Sequence, residues 1–214
     1  LPQNGIRCRD GAADDLFFLL PLLAGFTCNL ASAFTNIYSR MWGERAGSIL
    51  TILLRDVFGI PVWGTGFALA APTPSEALFP ETVVTTILGW VLVAIGGVII
   101  LAVLATLRLR AAAPTARDSL AETGLYARLR HPIHSGTLLE FLGLILIRPG
   151  VSLALACTLG FIRILLQTRF EEWDLLRRIP GYREYMNSIP RFIPRLTFQT
   201  ACERSIPLAD AAKR

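Results

Sequence analysis

From Val83 to Leu107 the chain carries no charged residue. A run of that length exceeds the ~20 apolar residues that a helix needs to cross a bilayer core, so the sequence has to be read with lipid as its solvent. Leu16 to Ser39 is a second uncharged run of sufficient length, and Gly47 to Ala71 is a third apolar region. Ile133 to Ile147 is long enough for a short or tilted span only, and Val151 to Thr168 makes a return after the turn Arg148-Pro149-Gly150. Across 214 residues, 53% are hydrophobic and 17% charged, far from the soluble average. The expected fold is therefore an all-α integral membrane protein of about five transmembrane helices, with a C-terminal helical hairpin and a cytoplasmic C-terminal segment.

Several features of the spans bear on function. Ala31-Ser32-Ala33 resembles a signal-peptidase site, but the acidic flank of Asp10, Asp14 and Asp15 and the late start favour a retained span. Arg55 and Asp56 fall inside the second apolar region, near Gly59-Ile60-Pro61. Charges in a span are a site hypothesis by default, yet a snorkelling Arg55 that pairs locally is the favoured reading. Gly89, Gly96 and Gly97 are expected to let a neighbouring helix approach closely. Glu140 lies in the short span and needs a partner; hairpin register offers Arg163, and an ion pair is as well supported as a direct site role.

Loop charge sets the orientation. Pro72 to Thr82 contains Glu76 and Glu81 and no Lys or Arg, whereas Arg40, Arg45, the Arg108 to Arg130 segment and the Arg-rich C-terminus fall on the opposite side. The positive-inside rule then puts the N-terminus out and the C-terminus in. Of the 21 basic residues all but one are Arg; they flank apolar runs, which favours anionic lipid over nucleic acid as their partner. Cys8, Cys28, Cys157 and Cys202 have neither metal-ligand nor redox spacing.

The polar residues that can do chemistry gather at both ends of the hairpin. Arg130-His131-Pro132 leads into a helix whose first turn suits proline and leaves N–H groups unpaired. His131 and His134 take neighbouring positions on that turn. Glu171 and Glu172 are adjacent and point about 100° apart on a helix. No HExxH or equivalent ligand pattern is present, so a metal is not expected; one carboxylate is expected to face a cationic or hydroxyl-rich ligand while the other pairs with Arg. Arg163, Gln167 and Glu171 fall four apart on one face. A dinucleotide fingerprint, a Walker sequence and a Gly-x-Ser-x-Gly elbow are all missing.

Arg130-His131-Pro132-x-x-x-Gly136, an apolar hairpin, Glu171-Glu172, Gly181-Tyr182-x-x-Tyr185 and Pro190-Arg191-Phe192-Ile193-Pro194 follow one another in fixed order. Together they resemble the superfamily of isoprenylcysteine carboxyl methyltransferases and phospholipid methyltransferases, over about the last third of the chain. The resemblance implies S-adenosylmethionine as cofactor, bound on the cytoplasmic side without a Rossmann domain, and a lipophilic methyl acceptor: an isoprenylcysteine carboxylate, a lipid or a thiol. By position it implies cofactor contacts at Arg130, His131, Gly136, Glu171 and Glu172; Tyr126 and His134 are further expected cofactor contacts, and Arg191 and Glu140 are the expected catalytic residues. Two positions depart from the family pattern: His134 stands where Tyr is common, and Ser188 stands where prenylcysteine enzymes tend to place Arg. The expected organisation is one membrane domain over residues 1–196, its cofactor-binding part at 124–194, followed by a weakly ordered tail at 197–214. A transporter or channel subunit built on Arg55, Asp56, Glu140 and Arg163 is the alternative, although the internal repeat common in such folds is missing.

Overall fold

A computed structural model describes residues 16–107 and 124–194. The expectations for residues 1–15, for most of the Arg108 to Arg130 segment and for the tail at 197–214 lie outside the described residues. The described chain is all helical: α1 (Leu19–Ala31), a 3₁₀ turn (Ser32–Phe34), α2 (Thr35–Trp42), α3 (Glu44–Ile52), a π-helical stretch (Leu53–Gly59), α4 (Ile60–Ala70), α5 (Val83–Leu107), a second 3₁₀ turn (Gly124–Ala127), α6 (Pro132–Ile147), α7 (Val151–Arg178) and α8 (Tyr182–Ser188).

Among the described residues four helical segments are long and apolar enough to cross a membrane: Leu19–Trp42, Glu44–Ala70, Val83–Leu107 and Val151–Arg177. The first two are separated by Gly43, whose φ of 87° is open to glycine and strained for other residues. The punctuation at Gly59-Ile60-Pro61 does not break the second segment. Proline has no N–H and its ring collides with the carbonyl four residues back; the chain widens to π-helix over Leu53–Gly59 just before Pro61 and the helix continues. Arg55 and Asp56 sit in this widened turn and pair with each other, Nε to Oδ1 at 2.8 Å, as the local reading anticipated.

α6 is the short segment. It nevertheless joins the two ends of the bundle, because the turn that follows it is bound to the loop between α4 and α5: Leu78 N–H donates to Pro149 O at 2.7 Å and Val151 N–H to Glu76 O at 3.0 Å. The far end, where α6 begins, also holds α2, whose Asn36 amide donates to Asp174 of α7 at 3.2 Å.

The closest helix pair is α5 with α6, not the α6–α7 hairpin. Two glycines on each helix, seven residues apart, meet reciprocally. A Cβ on Gly96 would lie 2.5 Å from the Gly136 carbonyl, and one on Gly89 would lie 2.7 Å from that of Gly143. The backbones therefore approach within a distance that any side chain would forbid, and dispersion along both helices holds them. The other face of α5 turns outward with Val83, Val98 and Leu101 exposed, which only hydrocarbon accommodates at low cost. On the opposite side, α1 packs on α4 through Gly25 and Gly66, and Phe26, Trp63, Phe67 and Phe141 form an aromatic core between α1, α4 and α6.

This packing predicts unequal responses from adjacent glycines. Gly96→Val drives two methyls into the Gly136 backbone, and overpacking of this kind costs about 1–3 kcal/mol; Gly97→Ala reaches only Glu140 Oε1 at 3.8 Å. Thermal unfolding in detergent should show a lowered midpoint for the first and no loss for the second.

Candidate active site

His131 is the residue before α6, with φ −126° and ψ 63°, and Pro132 occupies the first helical turn. The chain after α8 returns as an extended strap across this start: Arg130 N–H donates to Pro190 O at 2.9 Å, His131 N–H to Arg191 O at 3.1 Å, and the Ser135 hydroxyl to Phe192 O at 2.8 Å. Gly181, in the left-handed region at φ 83°, makes the sharp turn between α7 and α8 that sends the strap back.

The two glutamates diverge as their helical positions require. Glu172 turns toward the strap and is saturated: Arg130 Nη1 lies 2.7 Å and Arg191 Nε 3.1 Å from its Oε1, and Arg191 Nη2 bonds its Oε2. Glu171 turns the other way, with 30% of its side chain exposed against 4% for Glu172. The His131 ring stands between them, Nε2 3.2 Å from Glu172 and Nδ1 3.5 Å from Glu171. Only the doubly protonated ring donates from both nitrogens. Burial alone would lower the His131 pKa; hydrogen bonds and the charges of Glu171 and Glu172 outweigh it, and the ring titrates above its ordinary value.

A polar ladder supports Glu171 from below. Its Oε1 accepts from Gln167 Nε2 at 2.9 Å, Gln167 Oε1 accepts from Arg163 Nη1, and the same Nη1 donates to Asn29 Oδ1 of α1 at 2.7 Å. Arg163 also lies 5.5 Å from the centroid of the Phe26 ring. This corrects the expected pairing with Glu140: Arg163 faces α1 rather than the middle of α6, because α6 is drawn to α5. Among the described residues Glu140 pairs with no cation.

A cavity of about 560 Å³ gathers these groups. Tyr126, Arg130, His131, His134, Glu140 and Glu171 line it, with Thr137, Arg163, Gln167, Tyr182 and Tyr185. Asn29, Arg55, Ile60 and Trp63 reach it from the N-terminal half, and Ile100 and Leu107 from α5. Gly136 does not line it; its side faces Gly96, so the residue serves the α5–α6 contact. Glu172 and Arg191 line a separate hollow of about 500 Å³ on the outer side of α7, so the Arg191 guanidinium, expected to be available to an acceptor, is bound by Glu172. Burial first, then Glu171 and Tyr185, raises the pKa of Tyr126; burial first, then Glu172, raises that of Tyr182. Both phenols keep their protons as donors.

One ligand atom from each of His131, His134 and Glu171 lies within 4.8 Å of the others, which makes a possible metal-binding group. His131 faces a carboxylate with each ring nitrogen; a metal held with Glu171 would take the place of the Nδ1 proton and leave Nε2 to donate to Glu172. Sequence reasoning missed Asn29, Trp63, Tyr182 and Tyr185 as cavity residues. An amide inside the uncharged Leu16 to Ser39 run was the available signal for Asn29.

A helical bundle with four segments long and apolar enough to cross a membrane, and a charged, aromatic-lined cavity at one end, has the character of an integral membrane protein. Residues 84–181 match the phospholipid methyltransferase family, part of the superfamily of integral membrane methyltransferases. It covers α5, α6, α7 and the turn at Gly181, and omits α1 to α4, α8 and the strap. No curated protein and no solved structure matches the chain.

The His131 contacts predict a pH dependence. Because the folded-state pKa is raised, the stability contributed by the protonated ring is complete below the unfolded value of about 6.5 and is lost as pH rises through the folded-state pKa. The thermal midpoint should fall across that window in the parent protein and stay level in His131→Gln. An imidazole found by NMR to titrate at or below its ordinary value contradicts the geometry.

Proposed function

We propose that this chain is an S-adenosylmethionine-dependent methyltransferase acting on a lipophilic acceptor where the membrane meets the cytoplasm. The observation that carries the reading is the asymmetry of the acidic pair: Glu172 is saturated by Arg130, Arg191 and His131, while Glu171 presents its carboxylate to the 560 Å³ cavity. The cofactor has a cationic amino acid end, a carboxylate and ribose hydroxyls. Glu171 is the acceptor suited to the cationic end or the hydroxyls. Arg130 and Arg163 both line the cavity, and the Nε–H of each is buried without a partner among the described residues; these are donors suited to the carboxylate. Tyr126, Tyr182 and Tyr185 add ring faces that attract a cation.

Bound there, the cofactor supplies a methyl group already activated by its sulfonium. The protein's residues then contribute positioning and exclusion of water more than an acid–base pair. The acceptor's route is supported by the packing. α5 leans on α6 and makes little contact with α4, yet Ile60 and Trp63 of α4 and Ile100 and Leu107 of α5 line the same cavity, so a lipophilic acceptor enters between them from the bilayer. An isoprenylcysteine carboxylate, a lipid or a thiol fits this route, with Glu140 placed along it. Arg191 acts as a positioning residue through Glu172.

The site lies at the end opposite the acidic Pro72 to Thr82 loop, which supports five crossings with that loop outside and the site inside. Thiol labelling of Ser75→Cys by an impermeant reagent on intact cells, with Asn187→Cys labelled only after permeabilisation, is the expected pattern; the reverse overturns the orientation. For the cofactor, Glu171→Gln keeps the size and removes the charge of a ligand contact, and a charge-assisted hydrogen bond of about 1.5–3 kcal/mol corresponds to a loss of about 10- to 150-fold in affinity. Titration calorimetry with a folded Glu171→Gln variant checks it. Parent-like binding of S-adenosylmethionine by that variant contradicts the assignment.

A further inference from the structure

We propose that the groove on the far face of α6 is a second lipid site, separate from the acceptor's route and selective for an anionic phospholipid. α6 divides two spaces. His134, Thr137 and Glu140 face the cavity described above, whereas Leu138, Leu142 and Ile145 line a groove of about 760 Å³. The start of α6, between the two spaces, is crossed by the strap, whose Pro190, Arg191 and Phe192 carbonyls accept from Arg130, His131 and Ser135. A chain lying in the groove cannot bring its headgroup to Glu171.

The groove is built for hydrocarbon. Phe161 of α7 forms its far wall and Phe192 and Ile193 its rim. Ile193 is 79% exposed, Leu142 55% and Phe161 44%, so large apolar side chains stand around an open hollow in the membrane-spanning part of the bundle, where lipid is the available occupant. From Ser135 to Ile145 the groove follows ~15 Å of helix, the scale of an acyl chain rather than of a protein partner. Its mouth sets the headgroup. Arg128 lines the groove at the end where α6 begins and is exposed, and among the described residues no acidic side chain lines the groove with it. An exposed arginine at the polar border, with no carboxylate of the described residues lining the groove beside it, complements a phosphate that retains net negative charge. The inference rests on the membrane placement of the chain and not on the cofactor reading.

The test is native mass spectrometry of the protein released from nanodiscs that hold equal phosphatidylglycerol and phosphatidylcholine. The parent should retain one phospholipid, enriched in phosphatidylglycerol. Thr158→Trp, which fills the groove from α7, should lose it, and Arg128→Gln should retain a lipid without the enrichment. Affinity for S-adenosylmethionine should be unchanged in both variants; that readout keeps failure of the groove distinct from failure of the cofactor site. Absence of a retained lipid in the parent, retention unaffected by Thr158→Trp, or enrichment preserved in Arg128→Gln overturns the proposal. A photo-crosslinker at Leu142 that captures residues 195–214 in place of lipid also overturns it.

Discussion

A carboxylate with 4% of its side chain exposed cannot remain ionised at the edge of a membrane without cations supplied by the protein. Glu172 is that carboxylate, and its partners come from three places in the chain: Arg130 and His131 before α6, and Arg191 in the strap after α8. Neutralising it therefore ties together the start of α6, the end of α7 and the strap. The same cluster fixes what is left over. With Glu172 satisfied and His131 standing between the acids, Glu171 is left as the carboxylate at the polar end of the cavity.

The cavity exists because helices are pulled apart as well as together. Glycine pairs draw α6 onto α5, α1 packs on α4 through glycines of its own, and α7 meets α1 through the contact of Arg163 with Asn29. The space between these pairs is bordered by apolar helix faces toward the bilayer and by Arg130, His131 and Glu171 toward the polar end. Such a border suits the proposed methyl transfer, which brings together a polar cofactor and a lipophilic acceptor.

Much of this was legible in the sequence. The two uncharged runs, Leu16 to Ser39 and Val83 to Leu107, marked two of the four long apolar segments, since helix length and charge are local properties, and the divergence of Glu171 from Glu172 followed from their 100° separation on one helix. Four-residue spacing put Arg163, Gln167 and Glu171 on one face, where the structure joins them by hydrogen bonds. Other features depend on which helices meet. Pairing Glu140 with Arg163 assumed that sequential helices of a hairpin pack most closely; Gly136 and Gly143 instead draw α6 to α5, and Gly136, expected at the cofactor, lies in that contact. Asn29, Arg55 and Trp63 reach the cavity from far upstream of His131, and nothing in their local sequence names their neighbours. The identity of the strap's target was similarly hidden, because Arg191 finds Glu172 only after Gly181 has turned the chain.

The central claim is that S-adenosylmethionine occupies the cavity on the Glu171 face of α6. The most direct measurement is protection of a single thiol in an otherwise cysteine-free protein, at Thr137→Cys in the cavity and, for comparison, at Thr158→Cys in the groove across α6. Saturating cofactor should slow alkylation at position 137 and leave the rate at position 158 unchanged. Alkylation at position 137 that proceeds at the same rate with and without cofactor, while cofactor binds, would place the binding site elsewhere.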